Sequence, residues 1–270
     1  MAQARTENFP VASRVLPAAL RPHLLAIYGF ARLVDDAGDE AVGDRLALLD
    51  QLEADLERAF TGTPVHPLIV ALQPTIARFS LPIDPFRKLV AANRQDQLVR
   101  RYQTVEELLG YCTLSANPVG ELVLRVFTCA TPERIALSNK ICSGLQLVEH
   151  WQDVAEDYAR DRVYLPLEDL GRFAVGEQEL GAPSASPRFR DLMEFEVGRA
   201  RELLAQGAPL IRTLSGRQAL AVAAFVAGGR SALDAIERAR YDVLSSRPRP
   251  GFALRLMALF STLRRRTTAA

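Results

Sequence analysis

The stretch Leu24-Leu25-Ala26-Ile27-Tyr28-Gly29-Phe30-Ala31-Arg32-Leu33-Val34-Asp35-Asp36-Ala37-Gly38-Asp39-Glu40 reads as one helix that ends in acid. Leu24, Tyr28, Ala31 and Asp35 follow one face, because steps of three, four and seven residues nearly close helical turns. The apolar stripe expected to face a core therefore runs into a carboxylate, and Asp39 stacks one turn beyond it. Like charges at that spacing cost a few tenths of a kcal/mol on an exposed helix and much more on a buried one. Two readings fit. Either a hard divalent cation such as Mg²⁺ takes the carboxylate oxygens and keeps positions open for phosphate, or the helix frays into acid with Gly38 as its terminator.

A second acidic run, Gln146-Leu147-Val148-Glu149-His150-Trp151-Gln152-Asp153-Val154-Ala155-Glu156-Asp157, lies far along the chain. Glu149, Asp153 and Asp157 step by four, with Glu156 beside them. Leu147, Trp151, Val154 and Tyr158 form an apolar stripe on the opposite side, as in an ordinary surface helix. Against that reading, Ile141, Cys142 and Leu145 make the acidic side apolar one turn earlier. Two such helices facing each other would form an apolar pocket with acids at its mouth. That shape suits a long hydrocarbon carrying a diphosphate, held by apolar walls and, at its head, by metal.

Helical periodicity also dominates elsewhere, over 18–37, 44–60, 65–79, 83–99, 104–128, 132–158, 188–212 and 216–243, and no strand ladder stands out. Pro17 and Pro22 sit where a helix begins, Thr131-Pro132-Glu133 is a cap followed by a first-turn proline, and Pro82 and Pro118 mark breaks or kinks. The stretch 159–187, with Gly171, Gly176, Gly181, Pro183 and Pro187, reads as a loop within one domain. The expectation is a single all-α domain over residues 1–270.

Composition removes other classes. Lys+Arg 33 against Asp+Glu 32 leaves a net charge of +1, so no whole-chain basic field exists to hold nucleic acid. Cys112, Cys129 and Cys142 make no disulfide framework and read as thiols of a reducing compartment. His23, His66 and His150 lie too far apart in sequence for a zinc motif. Gly-rich phosphate loops, Rossmann turns, nucleophile elbows and calcium loops are absent from the sequence, and a glycosidase would not crowd so many acids on one helix face. Neither a secretion signal nor a spanning run of roughly 18 apolar residues appears, so the expected location is the cytoplasm. After Asp242 there is no acid, while Arg247, Arg249, Arg255, Arg264, Arg265 and Arg266 accumulate. Residues 251–270 form a basic amphipathic tail, either docked on the core or lying peripherally on the anionic inner face of a membrane.

The run from Leu16-Pro17 through Ala26-Ile27-Tyr28-Gly29-Phe30-Ala31-Arg32 to the first acidic cluster resembles the squalene/phytoene synthase family. So do Tyr111-Cys112 with Val119-Gly120, Gln146 to Asp157 leading into Arg162-Val163-Tyr164-Leu165-Pro166, and Leu233-Asp234 with Tyr241 to Pro248. Glu7-Asn8-Phe9-Pro10-Val11-Ala12-Ser13, Ser115-Ala116-Asn117-Pro118-Val119-Gly120 and Trp151-Gln152-Asp153 are similar to the bacterial hydroxysqualene synthases of hopanoid pathways. The resemblance implies an all-helical isoprenoid-synthase fold with a central cavity and Mg²⁺ between two acidic helices. It implies catalytic and metal roles for Asp35, Asp39, Asp153 and Asp157. Glu149 stands where the family has an Asn metal ligand, a job a carboxylate can do. Asn8, Tyr28, Arg32, Gln146, Arg162 and Tyr164 fall at or near substrate-contacting positions. Gln152 replaces a diphosphate-binding Arg, and Gly229 replaces a Tyr and is expected to leave space; with Ser115 and Asn117 these suit an ordered water.

The expectation is therefore a Mg²⁺-dependent carbon–oxygen lyase that ionises presqualene diphosphate and captures the cation with water, without NADPH. Its rivals are a head-to-head prenyl transferase making presqualene diphosphate, squalene or phytoene, and a non-catalytic helical partner of a sister synthase.

Overall fold

Prolines and polar caps set where the helices begin. The computed structural model describes residues 18–249 and Thr262, so Asn8, Pro17 and the rest of the basic tail lie outside the described residues. Pro22 stands in the first turn of α1 (Arg21–Asp39), where a missing N–H leaves no bond unmade. The Asp44 carboxylate caps α2 (Arg45–Thr61) by accepting from Ala47 N at 2.9 Å. Pro67 opens α3 (Pro67–Phe79), and Pro85 lies in the first turn of α4 (Asp84–Leu98). Then come α5 (Val105–Ser115), α6 (Asn117–Val126), α7 (Pro132–Gln152), α8 (Val154–Ala159), α9 (Leu167–Arg172), α10 (Pro187–Gly207), α11 (Leu210–Thr213) and α12 (Gly216–Arg238). No strand occurs among the described residues, and Arg101 and Val163 make an isolated bridge.

Three stretches that periodicity reads as continuous helix are broken. Residues 104–128 divide ahead of Pro118, which has no N–H to continue the ladder, and 188–212 divide at Pro209. The stretch 132–158 divides at Asp153, where φ is −106° and ψ 11°. Conversely, the irregular 159–187 contains α9 and a 3₁₀ turn over Glu177–Gly181. Arg101 fastens this stretch through Asp161 at 2.7 Å and Glu177 at 2.8 Å, and Leu167 N bonds Tyr102 O at 2.9 Å.

The chain forms two compact units. In the first, built from the described part of residues 1–99 and from 111–139, α1 packs on α2, α3, α4 and α6. Its core holds Ile27, Phe30, Leu49, Leu56, Ile69, Leu72, Phe86 and Val90, with Phe30 edge-on to Phe86 at 5.3 Å. Burying each such side chain stabilises by about 1.5–3 kcal/mol.

The second unit comprises residues 100–110 and the described part of 140–270, with α12 packed on α10 and α11. By length and composition α12 is apolar enough to cross a membrane, yet Ala219, Ala223, Val226, Ala227, Leu233 and Ile236 are buried in this unit's core. Trp151 is fully buried and donates from Nε1 to Glu196 O at 3.0 Å. Beside it, Arg199 Nη1 lies 2.9 Å from Asp169 and 2.7 Å from Glu196, both buried. Burial raises Glu196 to about 8, against the attraction of Arg199, and Asp169 pushes it the same way.

Two buried carboxyl groups thus share one guanidinium, and removing it leaves them uncompensated. Arg199→Leu is expected to cost about 3–5 kcal/mol in urea unfolding; a loss below about 1 kcal/mol would show that the triad is not what holds α9 to α10.

Candidate functional site

The acidic end of α1 is organised within the first unit. Its core face is Leu24, Ile27, Phe30, Val34 and Ala37. The line Tyr28–Ala31–Asp35–Asp39 runs beside that face, half-buried as far as Asp35 and exposed at Asp39. The core stripe therefore does not itself end in Asp35, a correction to the sequence expectation; the carboxylate sits at its margin.

A polar patch on α4 meets it there. Asn93 Nδ2 donates to Asp35 Oδ1 at 3.1 Å and to Leu89 O at 3.2 Å. Gln97 Nε2 donates to Gly38 O at 3.0 Å, and the Tyr111 hydroxyl donates to Asp96 at 2.7 Å. Position 38 has to be small, since a Cβ there would stand 2.4 Å from Asn93 Oδ1. Burial pushes the Asp35 carboxyl up to about 6; Asn93 and Arg32 pull it down, and Asp39 and Asp96 push it up. Arg32 pairs with Asp36 at 3.0 Å and Glu40 at 3.5 Å, while its buried Nε has no hydrogen-bond partner among the described residues.

The second acidic run is organised within the other unit. Glu149, Asp153 and Asp157 are half-buried, so they do not form the solvated face of a surface helix; Glu156 alone of the four is exposed. Despite the irregularity at Asp153, Asp153 N still bonds Glu149 O at 3.0 Å and Asp157 N bonds Asp153 O at 2.8 Å. Burial pushes Asp153 up to about 6, opposed by Arg247. It pushes Asp157 up to about 7, with Asp153 adding to the rise and Arg162 opposing it.

Arg247 Nε stands 2.5 Å from Asp153 Oδ1. Gln152 is 2% exposed and donates to Pro248 O at 2.5 Å. It fastens the segment carrying Arg247 and is not an open pocket-lining amide. Gly229 is likewise not open space: a Cβ there would lie 2.6 Å from Leu145 Cδ2 and 3.0 Å from Leu204 Cδ1.

Of the substrate positions expected from sequence, Gln146, Arg162 and Tyr164 gather around one buried imidazole. His150 Nε2 is 3.1 Å from Gln146 Nε2, and Tyr164 stacks on the His150 ring at 3.7 Å. Burial holds His150 well below the ordinary range, at about 3, and Arg162 lowers it further.

Asn93, His150 and Arg247 escaped the sequence reading of the site. Signals existed for the first two. Asn93, Asp96 and Gln97 share a helical face, and His150 stands four residues after Gln146 and seven before Asp157, so all three share a face.

These donors fit Mg²⁺ in one particular way. No group of three His, Cys, Asp or Glu among the described residues forms a ready-made cage. Mg²⁺ instead takes one or two carboxylates and completes its shell with water and substrate phosphate. Carboxylates raised by burial and by neighbouring acids are the donor set that such an ion stabilises.

A family model for squalene/phytoene synthases matches residues 2–253. The chain is 35% identical over 256 residues to a phytoene synthase of Arthrospira platensis, covering 89% of this chain and 83% of that one. It is 35% identical over 210 residues to a hydroxysqualene synthase of Rhodopseudomonas palustris, covering 76% and 70%. Among solved structures it is similar to squalene synthase HpnC from Alicyclobacillus acidocaldarius, with 41% identity, a TM-score of 0.83 and coverage of 89% and 94%. A ligand-bound dehydrosqualene synthase, at 24% identity and a TM-score of 0.88, shares the fold over 97% of this chain and 93% of its own.

The raised carboxyl groups give a signed expectation. The folded protein keeps the Asp157 proton up to about pH 7, whereas the unfolded chain loses it near 3.8. Its ionisation therefore destabilises the metal-free fold as pH rises between those values. Asp157→Asn is expected to stabilise the metal-free protein by on the order of 2 kcal/mol at pH 8 and not at all below pH 4. Melting temperatures across that range check it, and a gain that does not depend on pH would refute the assignment.

Proposed function

The chain belongs to the squalene/phytoene synthase family, and from that premise we propose that it converts presqualene diphosphate to hydroxysqualene. Its helices make the isoprenoid-synthase fold. The observation that carries the choice of the squalene series is the 41% identity to squalene synthase HpnC over nearly all of that chain. The hydroxysqualene synthase of Rhodopseudomonas palustris, at 35%, supports the choice of product.

In this reading Asp35, Asp39, Asp153 and Asp157, with Glu149, would hold the divalent metal that the diphosphate needs. Mg²⁺, when bound, offsets the negative charge that develops on the departing diphosphate. Arg32 adds a guanidinium to the same end, and its Nε, without a hydrogen-bond partner among the described residues, is a donor for an oxyanion. Tyr28, Gln146, Arg162 and Tyr164 orient the substrate head. The carbon–oxygen bond to diphosphate breaks, the carbocation rearranges, and one water adds its oxygen and gives up a proton. Arg247 now occupies Asp153 Oδ1 and would have to leave it for that oxygen to serve as a ligand.

A specific observation favours a second reading: the alignment with the Arthrospira phytoene synthase spans more of this chain than that with the hydroxysqualene synthase. Phytoene formation joins two geranylgeranyl diphosphates, so substrate choice separates the two readings.

Incubation with Mg²⁺ and presqualene diphosphate in ¹⁸O-water is expected to give an alcohol carrying one labelled oxygen, unchanged by NADPH. A hydrocarbon that appears only with NADPH would sink this reading, and phytoene from geranylgeranyl diphosphate would replace it with the second. Asp35→Ala and Asp153→Ala are expected to lose more than about tenfold in turnover with helical content retained. Glu149→Asn is expected to keep measurable turnover and Glu149→Leu to lose it; equal activity in both would remove Glu149 from the metal site.

A further inference from the structure

Gln146, His150 and Asp157 lie on one side of α7 and α8, and His150 is the member with no role so far. It is buried, and its ring is clamped face to face against Tyr164 at 3.7 Å and 14°. Tyr164 in turn stacks on Tyr102 at 5.9 Å and 20°. A ring held this way presents its two nitrogens in fixed directions. Nε2 points at the Gln146 amide nitrogen, 3.1 Å away, and Nδ1 points toward Asp157 Oδ2, 4.0 Å away.

A neutral imidazole has one donor and one acceptor. With its nitrogen turned to the ring, the Gln146 amide donates, so Nε2 accepts and this arrangement places the proton on Nδ1, on the side of the Asp157 carboxylate. Four ångströms is too long for a direct hydrogen bond. A small cavity lined by His150, Asp157, Arg162 and Tyr164 together with four aliphatic side chains has room for about one water, enough to close the gap.

We propose that His150 is a positioning residue that fixes the Gln146 amide through Nε2 and, through one water on Nδ1, the Asp157 carboxylate. The inference rests on the reading above, in which Gln146 meets the substrate and Asp157 the metal. A carboxylate whose second oxygen is oriented before the cation arrives loses less freedom on binding it. Partners of this kind, once removed, typically lower metal affinity or activity by about 10–100-fold. The same ring aims the Gln146 amide, so one side chain serves both ends of the metal–diphosphate head group.

The test reads metal binding directly. Mn²⁺ is titrated into the protein with inorganic pyrophosphate, and the free ion is followed by electron paramagnetic resonance. His150→Leu is expected to keep helical content and to bind Mn²⁺ at least about tenfold more weakly. His150→Asn, whose amide nitrogen replaces Nδ1–H, is expected to restore most of that affinity. His150→Gln, which reaches the Nε2 side, is expected to restore instead the KM for presqualene diphosphate. Wild-type protein that binds no Mn²⁺ would overturn the metal reading and this inference together. Wild-type binding with an unchanged His150→Leu variant would overturn this inference alone. Should the Leu variant fail to fold, ¹⁵N-histidine spectra of the wild type decide: with three histidines in the chain, the signal of His150 is expected to report N–H at Nδ1 from pH 6 to 8. An Nε2–H tautomer would overturn the proposal.

Discussion

Taking a carboxylate out of water opposes its charge, and this protein does so at Asp35, Asp153 and Asp157 without closing any of the three into a full ion-pair network among the described residues. The surrounding structure is arranged around that cost. Asn93 supplies Asp35 with a neutral donor, and Gly38 is the residue that lets Asn93 come near enough to do so. Arg247 supplies Asp153 with a cation from a distant part of the chain, held there because Gln152 grips the carbonyl of Pro248. Asp157 has the field of Arg162 and the neighbourhood of His150. Each partner lessens the penalty and none removes it, which leaves carboxylates whose ordinary ionised state is best served by an additional cation.

The triad of Asp169, Glu196 and Arg199 shows the other way to treat buried acids. There one guanidinium contacts both carboxyl groups at 2.7–2.9 Å, and Glu196 is fully buried. The cluster is closed, so its consequence is mechanical: it links α9 to α10 under Trp151. Burial raises both Glu196 and Asp157, but half-buried Asp157 lies in the first turn of a short helix beside a small cavity, and Glu196 does not. Closure against opening, more than the size of the shift, distinguishes the settings of these two acids.

Two positions acquire a different meaning in three dimensions. Gln152 and Gly229 depart from the family pattern in ways that read, in sequence, as room and polarity for a water. Folded, Gln152 is a latch, and position 229 is glycine because Leu145 and Leu204 occupy the volume in front of it. Neither contributes an open, polar void. The capture of water in the proposed reaction therefore falls to other residues.

The sequence by itself determined the helical class, the family and the two acidic helices. Periodicity along a single helix is a local property: the spacing of Leu24, Tyr28, Ala31 and Asp35, or of Glu149, Asp153 and Asp157, is fixed by 3.6 residues per turn before any packing occurs. Helix breaks were only partly legible, clear at Pro118, hidden at Asp153, because no proline or glycine announces a backbone that bends to place a carboxylate. What only the tertiary structure decided is which partners those acids have. Asn93 lies 58 positions from Asp35, Gln152 meets a carbonyl 96 positions away, and Arg247 comes from the far end of the described chain. Contacts at such separations depend on how helices pack, and no one-dimensional period records them. His150 lies between these cases: its face was readable from its spacing to Gln146 and Asp157, but its clamping by Tyr164 and its burial follow from packing alone.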